Sequence, residues 1–184
     1  TGDSEEEVEE KARAAQADLA EFNLKTRLTR TPDEREKYQT VRRESFNLLR
    51  KGISGKRTAP FIDDIVVHPD QLPQFLPRLN EILKQYENKM TYTIAGHIGD
   101  ANFHIIPLMD PKTPDFEAVI NELALKVYKL VLEFKGSISG EHNDGLLRTR
   151  FLPMMFGEEV YNLFRQVKQI FDPKGIFNPG KKVV

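Results

Sequence analysis

Residues 91–106 read TYTIAGHIGDANFHII, two apolar runs around the polar tetrapeptide Ile98-Gly99-Asp100-Ala101. Thr91–Gly96 and Asn102–Leu108 are rich in β-branched and aromatic side chains, so the stretch predicts an antiparallel hairpin. A turn at Gly99-Asp100, or a four-residue loop from Ile98 to Ala101, gives the same pairing. His97 then lies opposite Asn102, and Ala95 opposite His104. Because side chains alternate across a strand, His97, Asn102 and His104 share one face, with the histidines as diagonal neighbours. A three-residue loop would break this parity.

Working outward, Phe61–Val67 reads as a strand, and Leu72, Phe75, Leu76, Leu79, Ile82, Leu83 and Tyr86 form a helical stripe after it. Beyond the hairpin, Thr113-Pro114-Asp115 predicts a helix start, with Phe116, Val119, Ile120, Leu123, Val127, Leu130, Val131 and Phe134 as its inner face. Gly136–Gly140, GSISG, predicts a short strand that delivers the chain to Glu141-His142. A last helix is expected from Glu158 to Phe171 with Val160, Phe164, Val167 and Phe171 inward. Turns follow at Asp172-Pro173-Lys174-Gly175 and Asn178-Pro179-Gly180.

Towards the N-terminus, Ser4 and Glu7 have capping-box spacing ahead of a thin apolar stripe, Val8, Ala12, Ala15 and Leu19. Thr31-Pro32-Asp33-Glu34 starts a second helix, expected to end near Leu49. The loop Gly52–Pro60, GISGKRTAP, lacks the spacing of a phosphate-binding loop. The succession predicts an α+β fold, a mainly antiparallel sheet with helices packed on one face. Its order resembles a ferredoxin-like half completed elsewhere. Residues 1–36 read as an N-terminal helical arm with the start of the second helix, and residues 37–184 as the main domain.

With 184 residues, 39% of them hydrophobic, the chain can bury one sizeable core. A formal net charge of −1, with scattered Lys and Arg, gives no basis for nucleic-acid binding. No apolar run has transmembrane length, and the acidic start TGDSEEEVEE is unlike a signal peptide. The expected location is cytoplasmic, with peripheral attachment to the inner face of a membrane allowed. The chain has no cysteine, so any metal must be held by His, Asp or Glu.

His97, His104 and Glu141, with His142 beside the last, are the candidate metal ligands. Two imidazoles and a carboxylate suit catalytic zinc, and the same set suits iron or manganese. The bland alternative is that these are polar surface or core side chains. Glu141 and His142 point apart in an extended backbone and face one cavity only if the GEHNDG segment bends, which Gly140 and Gly145 permit. Asp100 and Asp144 sit beside glycines in turns, where aspartate is common for backbone reasons, and His68 reads as an exposed residue at a strand end. Arg43, Lys56 and Arg57 could hold an anionic substrate.

At HIGDANFH (residues 97–104), GSISGEH (136–142) and DPKGIFNPGK (172–181), the sequence resembles the C-terminal domain of FAD-linked oxidases, the family of D-lactate dehydrogenase, the glycolate oxidase flavin subunit and D-2-hydroxyglutarate dehydrogenase. The resemblance spans roughly Tyr38 to Val184. It implies that His97, His104 and Glu141 are metal ligands, zinc being the first expectation, and that His142 is the catalytic base. It further implies a substrate-carboxylate arginine that fits Arg43, with Arg57 as its candidate partner, and a 2-hydroxy acid as substrate. FAD would be bound mainly by a separate domain, and electrons would pass to an acceptor such as an iron–sulfur protein or a quinone. Ala101 and Asn143 occupy positions where the family commonly has glycine. A non-catalytic assembly module and a small metal-dependent hydrolase are the alternative functions that the residues allow.

Overall fold

A computed structural model gives the structure of the protein and describes residues 2–52 and 55–183. Contacts divide the chain into two compact units, residues 1–52 and 53–184.

The N-terminal unit holds α1 (Glu5–Asp18) and α2 (Pro32–Gly52). Ser4 caps α1 as its spacing predicts, its hydroxyl accepting the Glu7 N–H at 3.2 Å. The Glu7 carboxylate reaches back to the Asp3 N–H at 2.7 Å, one residue earlier than in a standard box. No residue of α1 is buried, in keeping with its thin apolar stripe. Thr31 caps α2 through the Glu34 N–H at 3.2 Å, and the helix runs three residues past its expected end near Leu49. Of the loop expected at residues 52–60, Ile53 and Ser54 lie outside the described residues.

The second unit begins with β1 (Arg57–Thr58) and β2 (Ile62–Val66), followed by α3 (Leu72–Lys84). The hairpin β3 (Thr91–His97) and β4 (Asn102–Met109) and the helix α4 (Phe116–Glu133) come next, then α5 (Gly145–Arg148) and α6 (Leu152–Phe171). All pairing is antiparallel. β4 is central, flanked along one side by β3 and along the other by β1 and β2 in succession. Ser137 extends the sheet beyond β2 by one antiparallel bridge to Val66, with reciprocal N–H to O distances of 2.8 and 3.0 Å. The order β3, β4, β2, Ser137, with α3 and α4 as crossovers, is the ferredoxin-like order with its last strand reduced to a bridge.

That reduction corrects the expected strand at GSISG. The Ser137 hydroxyl donates to the Ser139 carbonyl at 2.7 Å and accepts the Ser139 N–H at 3.2 Å, so the side chain bends the backbone out of the ladder.

The core lies between one face of the sheet and α3 with α4. Phe75, Leu79 and Leu83 meet Val119, Leu123, Val127 and Val131 over Ile62, Ile65, Phe103 and Ile105. These are the expected stripes. α4, however, starts at Phe116, because Thr113-Pro114 is taken up in a turn in which Thr113 O accepts the Phe116 N–H at 3.0 Å. α6 departs further. It is broken at Gly157 (φ 79°, ψ 157°), and its buried face carries Tyr161, with Phe164 packed beside it. Val160, Val167 and Phe171 are 39%, 55% and 79% exposed. The inward face is therefore rotated about one position from the expected one. The Tyr161 ring decides this, fully buried with the Arg165 guanidinium 4.4 Å over its face.

The polar face of the sheet depends on close strand approach at Gly96. Its φ is 138°, and a Cβ there would lie 2.2 Å from the Asn102 carbonyl oxygen. Gly96→Ala therefore combines backbone strain with a clash against backbone that cannot yield. A loss of about 2–4 kcal/mol in unfolding free energy is expected, read from a lower denaturant midpoint at constant m-value. A loss under about 1 kcal/mol would mean that the hairpin opens freely at this point.

Candidate metal centre

Four residues, Ile98–Ala101, connect β3 to β4, so the even parity holds: His97 pairs with Asn102 and Ala95 with His104. Both histidines stand on the sheet face opposite α3 and α4, their rings edge to face at 5.7 Å. Ala101 closes the turn with φ 50°, a left-handed conformation that alanine enters at a cost of about 1–2 kcal/mol. Tertiary contact holds it there. Ala101 is fully buried and its carbonyl accepts the Val67 N–H at 3.3 Å. Asn143 likewise takes the glycine-type backbone at its position, with φ 64°.

The remaining candidates arrive on a bent segment held from below by Asp64. The register of β2 on β4 slips between Ile62 and Ile65: three residue steps on β2 face two on β4. This bulge keeps both isoleucines in the core and turns Asp64 (φ 65°) inward, where it is completely buried. Its carboxylate accepts the backbone N–H groups of Gly140 (2.9 Å), Glu141 (3.0 Å) and His142 (2.8 Å), and the Asn102 amide at 3.0 Å. Burial by itself raises the Asp64 pKa. The Glu141, His142 and Gly140 N–H groups and the Asn102 amide outweigh it, so the net shift is downward. Asp64 is thus an anion that folds residues 140–142 into a turn beside the hairpin. A Cβ on Gly140 would stand 2.5 Å from Asn102 Nδ2, so only glycine fits between these groups.

That turn brings all four predicted residues together. Glu141 Oε1 lies 3.1 Å from His97 Nε2, 3.0 Å from His104 Nε2 and 3.7 Å from His142 Nε2. On the far side of the rings, Asp63 Oδ1 is 3.0 Å from His104 Nδ1 and Asp63 Oδ2 is 3.2 Å from His142 Nδ1. The His104 and His142 rings stack at 4.7 Å, 11° from parallel. The donor set fits a small divalent cation. Tetrahedral bonds of about 2.1 Å need donor atoms about 3.4 Å apart, and the Nε2 atoms of His97 and His104 and a Glu141 oxygen all lie within 4.8 Å of one another.

Asp63, Asp64 and Arg148 are the residues that sequence reasoning missed. The signal was present in FIDDIVV, two adjacent carboxylates inside an apolar strand, since burying a charge is costly unless it has partners. Arg148, nearly buried, donates to the Asp63 carbonyl (3.0 Å) and the Asn143 carbonyl (2.7 Å), with its guanidinium 3.7 Å from Asp64. The residue that follows the third stretch of the resemblance is tied to Thr149 and Asp144. Lys182 donates its backbone N–H to Thr149 at 2.9 Å and pairs through its ammonium with Asp144, which is structural, as its turn position suggests.

Arg57 is not brought to this cluster. It pairs opposite Met109, five residues from His104, roughly 17 Å of strand at 3.4 Å per residue. Lys56 donates to Thr91 at 3.0 Å. Arg43 lies on α2 in the N-terminal unit, exposed and paired with Glu36. His68 is exposed, as expected. The strand-to-helix connections, residues 67–71 and 110–115, contain no glycine, so no residue of this chain is assigned to a flavin pyrophosphate. None of the described helices is long and apolar enough to cross a membrane.

Among curated proteins, the chain is 30% identical to D-2-hydroxyglutarate dehydrogenase of Pseudomonas putida over 184 residues, covering 98% of this chain and 18% of that protein. It is 32% identical to D-lactate dehydrogenase of Archaeoglobus fulgidus over 182 residues, 98% of this chain and 38% of that protein. Glycolate oxidase subunit GlcD of Escherichia coli is 35% identical over 112 residues, 61% of this chain and 22% of the subunit. The chain therefore spans well under half the length of these relatives. The profile of the FAD linked oxidases, C-terminal domain, matches residues 1–182 and so takes in the N-terminal helices as well as the hairpin. With the stretches HIGDANFH and GSISGEH meeting in one histidine cluster and the match running over nearly its whole length, the chain belongs to the family of FAD linked oxidases, C-terminal domain.

Proposed function

We propose that this domain binds a divalent metal, zinc first among the candidates and iron or manganese next, through His97, His104 and Glu141. It would serve there the oxidation of a 2-hydroxy acid to a 2-oxo acid. The observation that carries the reading is the convergence of three imidazole Nε2 atoms on one Glu141 oxygen at 3.0–3.7 Å, on the sheet face opposite α3 and α4. A divalent metal bound by these ligands would supply Lewis acidity that lowers the pKa of a substrate hydroxyl.

The chain's own residues do the rest. His142, half exposed and 3.7 Å from the same Glu141 oxygen, takes the hydroxyl proton at Nε2. Asp64 holds Glu141 and His142 by their backbones, so ligand and base are carried on one anchored turn. FAD, which the family description names, would supply the acceptor for the hydride from the hydroxyl-bearing carbon, and no residue of this chain is assigned a part in that transfer. Arg43 is assigned to the substrate carboxylate on the resemblance alone. Passage of electrons to an iron–sulfur protein or a quinone, and a cytoplasmic location, belong to the same proposal.

Metal analysis of the purified chain tests the reading. About one zinc, iron or manganese per chain is expected, falling at least tenfold in His104→Ala and Glu141→Gln variants that keep their far-ultraviolet circular dichroism. Stoichiometric metal that survives both substitutions would move the site elsewhere.

A further inference from the structure

We propose that Asp63 is a positioning residue that clamps the ligand His104 and the base His142 to one carboxylate, taking Nδ1–H from each. The proposal rests on the metal reading above and adds a residue to it.

An ionised carboxylate accepts hydrogen bonds and cannot donate them. Contacts of 3.0 and 3.2 Å to its two oxygens therefore put a proton on Nδ1 of both rings. In a neutral imidazole the other nitrogen, Nε2, then carries the lone pair. Both Nε2 atoms lie on the Glu141 side, 3.0 and 3.7 Å from Oε1; that carboxylate also only accepts, so without a cation His104 donates Nε2–H to it as well, and a bound cation would take the place of that proton. One side chain thus sets the tautomer of His104 for cation binding and that of His142 for proton uptake. The near-parallel stacking of the rings at 4.7 Å is what two imidazoles hung from one carboxylate adopt.

Water competes weakly at the His104 contact, where the Asp63 and His104 side chains are only 15% and 14% exposed; the His142 contact is more open, that ring being 49% exposed. The backbone supports the clamp too. Arg148 holds the Asp63 carbonyl, and the bulge at Asp64 leaves Asp63 on the same face as His104. His97 stands outside the arrangement: its polar contact is through Nε2 to Glu141. It is the internal reference.

Asp63→Asn keeps the shape but offers one acceptor oxygen and one amino group, so it can satisfy only one of the two Nδ1–H groups. The experiment is histidine side-chain nitrogen NMR on the full chain without metal, followed by zinc titration of the wild type and Asp63→Asn. Protonated Nδ1 in both His104 and His142 of the wild type is expected. In the variant one of them should lose that proton while His97 is unmoved, and zinc affinity should fall about 10–100-fold with the thermal midpoint retained.

An unprotonated Nδ1 in either wild-type ring, or zinc binding by Asp63→Asn as tight as wild type, overturns the proposal. So does a stoichiometry of two zinc ions per chain, which would place a metal on the Asp63 side. The wild-type spectrum decides even if the variant does not fold. A wild type with both Nδ1–H groups that binds no zinc would remove the metal reading and leave the clamp standing.

Discussion

Asp64→Ala is expected to destabilise the domain by about 3–5 kcal/mol, the range for removing one partner of a buried charged network. The effect is large because one carboxylate closes several hydrogen bonds at once. Its loss leaves the part-buried N–H groups of Gly140, Glu141 and His142 and the buried amide of Asn102 without their acceptor, at up to about 1–3 kcal/mol for each group left unpaired and least where water can reach. It also leaves the nearly buried Arg148 guanidinium without the anion 3.7 Å away. Asp64→Asn would be nearly as damaging, since its amino group must point at donors. Differential scanning calorimetry should show a fall of roughly 10–15 °C for a domain of this size.

The same carboxylate sets an acid limit. A folded pKa held below the ordinary 3.8 contributes stability that is present above that value and is lost as pH falls through the depressed one. The unfolding midpoint of the wild type should accordingly drop in that window, and the drop should shrink in Asp64→Asn. A shift below about 3 °C for Asp64→Ala would mean that the turn at residues 140–142 is held by something else.

Why the hairpin could be read from sequence and its supports could not is a matter of where the information lies. The period of two along a strand and an even loop length fix which residues share a face, so His97 and His104 were legible as neighbours. The β2 bulge is a slip in pairing between strands distant in sequence, and no local pattern encodes it. Regular alternation would have placed Asp63 and Asp64 on opposite faces, one of them stranded in the core. Only the bulge, with φ 65° at Asp64, lets both serve the same site from different sides. Ala101 teaches the complementary lesson. Its left-handed backbone runs against its intrinsic preference and is held by burial and by the Val67 N–H, a tertiary contact that propensity cannot foresee. On α6, Val160, Val167 and Phe171 make as regular a stripe with Phe164 as Tyr161 does, and the choice between them turned on where Tyr161 finds room.

His142→Asn is expected to lower kcat for 2-hydroxy acid oxidation by about 10²–10⁴ in an FAD-loaded enzyme carrying this domain, equivalent to about 3–5 kcal/mol of barrier. Metal content should be unchanged, because His142 is 3.7 Å from the Glu141 oxygen that His97 and His104 approach to 3.1 and 3.0 Å. Asparagine can still accept a hydrogen bond from a hydroxyl, so KM should move far less than kcat, and the split identifies a lost proton acceptor rather than a lost binding contact. His104→Ala should fail differently, losing metal and activity together. The opposite assignment, His142 as third ligand with Glu141 as base, is chemically coherent, since both groups belong to the same turn and both face His104. It makes the reverse forecast: His142→Asn would release the metal, and Glu141→Gln would keep it while kcat collapses. Asp64 anchors Glu141 and His142 equally through their backbones, so it favours neither assignment. Asp63 meets Nδ1 of both His104 and His142 and both Nε2 atoms face Glu141, so the preference for His142 as base rests on exposure: its ring is half exposed and reachable by substrate, whereas His104 is mostly buried.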